Sequence, residues 1–73
     1  MDKSSEKEFL IKFGQNLRKL RLRKGYTQEQ LANELDVEIS QISRIERGVI
    51  NTTIITVQSI VKCLQIKPNE LFD

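Results

Sequence analysis

Histidine is absent from this 73-residue chain, which removes histidine-based acid–base catalysis and every histidine–metal site. The single cysteine, Cys63, cannot close an internal disulfide, and a lone thiol suits a reducing cytoplasm better than a secreted domain. No apolar run reaches the length of a membrane-spanning helix. Residues 1–8 are mostly polar and lack the basic start and apolar centre of a secretory signal. There is no glycine-rich phosphate loop and no paired-carboxylate constellation. Aromatic residues are few, one Tyr and three Phe, so little is offered for stacking on RNA bases. The expectation is a soluble cytoplasmic protein that is not an enzyme and uses no metal, no cofactor and no small-molecule ligand.

The length allows one domain, 1–73, and a chain this short buries only roughly 60% of its unfolded surface. Without disulfides, such domains gain stability from a regular helical core or from oligomerisation, a first reason to expect a homodimer. The net charge of +2 decides little, but its distribution is uneven. Residues 12–24 carry Lys12, Arg18, Lys19, Arg21, Arg23 and Lys24 with no acid, whereas 27–38 carry Glu29, Glu34, Asp36 and Glu38 with no base. A charged face is often merely solvated, so the asymmetry needs a motif beside it.

Strand signals are scarce, because the β-branched stretch 52–57 lacks clean alternation. Helical periodicity recurs instead in short blocks. Leu10, Phe13, Leu17 and Leu20 share one face of a helix over about 7–24, with Gly25 suited to end it. Thr27 and Gln30 fit a capping box, and Tyr26 and Leu31 a hydrophobic staple, at the start of a helix over 28–35. Ile42 and Ile45 line a third helix over 39–47, stopped by Gly48. A fourth runs over 54–64 behind Thr53, burying Val57, Ile60, Val61 and Leu64, and Pro68 suits the first turn of a brief fifth over 68–72. The fold expected is all-α, a compact five-helix bundle without linker or low-complexity segment.

Two short helices joined by three or four residues outline a helix-turn-helix over 28–47, although many helical hairpins share that outline. The outward face of the second decides more. At about 100° per residue, Ser40, Arg44 and Arg47 lie opposite Ile42, leaving Ser40, Gln41 and Ser43 small or polar and Arg44 and Arg47 long and basic. Such a face suits a DNA major groove, where arginine reads guanine and glutamine reads adenine through paired hydrogen bonds.

The segments FGQNLRKLRLRKGYTQEQLA (13–32), ISRIERG (42–48) and LQIKPNELF (64–72) resemble the Cro/CI-type (XRE-like) helix-turn-helix regulators, in the expected order and over about four fifths of the chain. The resemblance implies a lambda-repressor-like five-helix fold and a homodimer on a (pseudo)palindromic double-stranded operator. It implies base reading by Ile39, Ser40, Gln41 and Arg44, and phosphate contact by Thr27, Gln28, Ser43, Arg47 and Asn51. A helix start such as Gln28 independently favours an anion. Arg21 and Glu46 match a structural ion pair of that family, while Arg18, Arg23 and Lys24 add a diffuse positive field. Ile50, Ile54, Ile55, Ile66, Leu71 and Phe72 are assigned to the dimer interface. Small stand-alone members include restriction-modification controller proteins and phage repressors.

Several residues depart from the common pattern. Glu38 stands where a serine or threonine often caps the third helix; near phosphate it repels, unless it accepts from a cytosine amino group. Ile39 either meets a thymine methyl or packs on the second helix. Asp36 replaces a frequent glycine, and Thr52 a frequent proline. Cys63 fits a small buried hydrophobe. The competing reading from another class is a protein-interaction module, antitoxin-like, using the same fold as a scaffold; the outward Arg44 and Arg47 argue against it.

Overall fold

The computed structural model describes residues 2–73. In chain order these form α1 (Lys3–Arg23), α2 (Gln28–Leu35), α3 (Ile39–Glu46), α4 (Ile54–Leu64) and a 3₁₀ turn, Pro68–Leu71. No strand occurs among the described residues.

Three expectations change. The α-helices number four rather than five, because residues 68–71 close through i→i+3 bonds, Glu70 N to Lys67 O and Phe72 N to Asn69 O, both 3.0 Å. Four residues are the length at which i→i+3 closure is common and too few to establish an α ladder. The first helix starts one turn earlier than its apolar periodicity, at Lys3. Asp2 caps it, with Oδ1 accepting from the Ser5 amide at 2.8 Å, and that hydrogen bond holds the Asp2 carboxyl below its ordinary range. The third helix ends at Glu46, with Arg47 as its cap.

Each α-helix ends in the same paired closure. After α1, Gly25 N donates to Leu22 O and Tyr26 N to Arg21 O, a Schellman motif that satisfies two orphan carbonyls. Equivalent pairs form at Asp36–Val37, Gly48–Val49 and Gln65–Ile66. The residue at the turn takes positive φ each time: 81° at Gly25, 57° at Asp36, 72° at Gly48 and 54° at Gln65. Gln65 is the least suited of these, since a left-handed conformation costs an ordinary L-residue roughly 1–2 kcal/mol. Gln65→Gly is therefore expected to stabilise the protein by about 0.5–1 kcal/mol once the greater flexibility of unfolded glycine is offset. A thermal melt with an unchanged or lower midpoint would contradict this.

The core joins Phe13, Leu17 and Leu20 of α1, Leu31 and Ala32 of α2, Ile42 and Ile45 of α3, Ile60 and Leu64 of α4, and Ile66 and Leu71 behind them. Leu71 thereby leaves the set expected at a dimer surface: it is 0% exposed within one chain, and its carbonyl accepts from Asn16 Nδ2 at 3.0 Å. Ile66 is buried as well, and Ile50 is half-buried against the core. A core this small draws in these residues to complete itself. Cys63 is half-buried against the same core, and its interaction with the Tyr26 hydroxyl pushes that phenol above its usual range.

Candidate nucleic-acid interface

The α2 start is fixed by local chemistry. Thr27 Oγ1 accepts from the Gln30 amide at 3.0 Å, while Gln30 Oε1 accepts from the Thr27 amide at 2.9 Å, so the capping box is complete. Tyr26 packs partly against the core. The turn to α3 passes through left-handed Asp36, and Val37 tucks in against the core. Glu38 precedes α3 without a side-chain capping bond.

α3 packs against both α1 and α2. Its inner row is Ile42, Ile45 and Glu46, all buried. On the outside, Ser40, Arg44 and Arg47 are exposed, Gln41 and Ser43 half-buried, and Ile39 is 47% exposed. Ile39 is thus not absorbed by packing on α2. Arg47 folds back along the last turn, Nε donating to Ser43 O at 3.4 Å, and Asn51 is exposed in the following loop.

Behind this face lies a buried ionic network. Arg21 of α1 grips Glu46 through two parallel bonds, Nε to Oε2 at 2.6 Å and Nη2 to Oε1 at 3.0 Å. Its remaining terminal nitrogen, Nη1, donates to Tyr26 O at 2.8 Å. Gln28 Nε2 donates to Glu46 Oε1 at 3.1 Å. The network ties the end of α1, the start of α2 and the end of α3 together with charge-assisted bonds. Among the described residues Arg21–Glu46 is the only ion pair, so the positive charges of Arg44 and Arg47 have no carboxylate partner and face outward. The exposed side of α3 therefore carries two basic side chains with no carboxylate within ion-pair distance among the described residues.

Sequence reasoning did not single out two parts of this arrangement. The Gln28–Glu46 bond joins residues 18 apart along the chain and has no local signature. Gly14 had one: a glycine inside an amphipathic helix marks a close approach. It lies where α1 crosses the α3 end, and a side-chain carbon there would run into the backbone carbonyls of Ile45 and Glu46.

Of the residues assigned to dimerisation, Ile54 (76% exposed), Ile55 (67%) and Phe72 (44%) remain at the surface. Phe72 stacks on Phe9 with centroids 5.9 Å apart and tilts against Phe13 at 5.4 Å. Ile54 and Ile55 share a shallow apolar groove with Val57, Val61 and Pro68.

Fold and face together define a helix-turn-helix regulator that binds DNA. The helix-turn-helix family model matches residues 17–71. Control protein C.BamHI of Bacillus amyloliquefaciens is 42% identical over 62 residues, covering 84% of this chain and 76% of that protein. The HTH-type transcriptional regulator SlrR of Bacillus subtilis is 41% identical over 61 residues, which are 82% of this chain but 40% of SlrR. The restriction-modification controller protein C.AhdI from Aeromonas hydrophila has a similar structure, with TM-score 0.82 at 41% identity over 86% of this chain and 96% of that one. The chain belongs to the XRE-type helix-turn-helix family.

Proposed function

We propose that this protein is a controller-type transcriptional regulator that binds a two-fold symmetric operator as a homodimer, with α3 in the major groove. The observation that carries the reading is the outward row of α3, where Arg44 and Arg47 stand free of carboxylates while Ile42 and Ile45 anchor the helix from behind. Arg44, Gln41, Ser40 and Ile39 face base edges, with the exposed Ile39 suited to a thymine methyl. Thr27, Gln28 and Ser43 meet phosphate on one side and Arg47 and Asn51 on the other.

A dimer through Ile54, Ile55 and Phe72, with half-buried Ile50 at its edge, accounts for the most exposed large apolar residues on α4 and at the chain end. It would present two recognition helices to half-sites about 34 Å apart. The controller reading rests on C.BamHI and C.AhdI, most of whose lengths this chain covers. No helix among the described residues is long and apolar enough to cross a membrane.

Arg44→Ala is expected to weaken operator binding by about 1–3 kcal/mol and to relax one base preference, as read by titration of a labelled duplex. Unchanged affinity and selectivity would remove Arg44 from the reading.

A further inference from the structure

The buried Arg21–Glu46 pair does more than join helices, because a third donor reaches the same carboxylate. Gln28 sits in the first turn of α2, half-buried, and its Nε2 lies 3.1 Å from Glu46 Oε1. A glutamine side chain at a helix start ordinarily samples several rotamers, at an entropic cost when it is later fixed. Here the carboxylate accepts one of the two Nε2 hydrogens. That contact also settles which end of the amide faces inward, since the carbonyl end would meet a carboxylate oxygen. Nε2 makes no other hydrogen bond among the described residues, so its second hydrogen is left for an acceptor outside the chain.

Glu46 holds this position because Arg21 fixes it from the opposite side with two bonds, and because its side chain is only 3% exposed. It is also the immediate neighbour of Arg47. One buried carboxylate therefore sets the orientation of the donor at the α2 start and sits next to the residue beyond the α3 end. We infer that Glu46 is a positioning residue for DNA binding: through its bond to the Gln28 amide it presets that side chain as a phosphate donor. A ligand group that arrives already oriented loses less freedom on binding. The inference rests on the reading of Gln28 as a phosphate contact.

The test is a double-mutant cycle on operator affinity, using the full chain with each variant's folding verified by circular dichroism. Gln28→Ala in the wild-type background is expected to lose about tenfold in affinity, equally for operator and unrelated duplex. Glu46→Gln keeps the size of the side chain but cannot serve three donors. In that background Gln28→Ala is expected to change affinity by less than about threefold, because the preset donor is already gone. An equal tenfold loss in both backgrounds overturns the positioning role while leaving the phosphate contact intact. No loss from Gln28→Ala in the wild-type background overturns both.

Should Glu46→Gln fail to fold, the wild-type protein still decides the matter. The side-chain amide resonances of Gln28 are expected to be shifted and slowly exchanging in the free protein, with one dominant rotamer that DNA leaves unchanged. Averaged, solvent-like signals that sharpen only on adding DNA would overturn the inference.

Discussion

Glu46→Ala is expected to remove about 3–5 kcal/mol of stability, because it strands a buried arginine without its partner. Arg21 would keep one bond, to Tyr26 O at 2.8 Å, and lose both bonds to the carboxylate. For 73 residues at about 0.05–0.15 kcal/mol per residue, total stability is of order 4–11 kcal/mol, so the loss removes a large part of it and, at the low end of that range, brings the variant to its unfolding midpoint. Replacing both partners together, as in Arg21→Met with Glu46→Leu, leaves no orphaned charge and is expected to recover most of the loss. Urea denaturation of the two single variants and the double variant checks this. A Glu46→Ala loss below about 1 kcal/mol would mean that Arg21 finds water in place of the carboxylate.

Gly14→Ala is the second large effect, and its sign is opposite to the usual one. In an exposed helix interior, exchanging glycine for alanine gains about 1 kcal/mol. At Gly14 the added carbon collides with the carbonyl oxygens of Ile45 and Glu46, which are backbone atoms and cannot rotate aside. Separating α1 from α3 strains the Arg21–Glu46 bonds and withdraws part of the core, so a net loss of about 2–3 kcal/mol is expected, within the range for overpacking. Gly25→Ala makes a control: nothing lies within 4 Å of its added carbon. Only its positive φ is penalised, for about 1–2 kcal/mol. Equal melting temperatures for Gly14→Ala and wild type would show that the helix crossing relaxes freely.

The elements most legible in the sequence were those built by local chemistry. Thr27 and Gln30 announced their helix because both halves of a capping box lie within four residues. Gly25 and Gly48 marked helix ends because glycine takes the left-handed turn without strain. Gln65 makes the same turn unannounced, since only the burial of Ile66 and the bonds to Lys62 and Val61 hold it there. The 3₁₀ turn at 68–71 and the α-helix expected there share one apolar pattern, and the hydrogen-bond ladder that separates them leaves no trace in composition. Leu71 looked spare because the sequence shows how many apolar residues exist, not how many the core consumes. On α3, the alternation of Ile42 and Ile45 with Ser40 and Arg44 displayed the outward face directly. The tie from Gln28 to Glu46 depends on how three helices meet, which no single segment encodes.

The measurement that bears most directly on the central claim is selection of bound sequences from a pool of random duplexes, with wild type and Arg44→Ala run side by side. The account predicts that wild type enriches a two-fold symmetric site and that Arg44→Ala loses preference at one symmetric base position while keeping the rest. A pool left unenriched by the wild-type protein at low salt, or identical preferences from the two proteins, would contradict it.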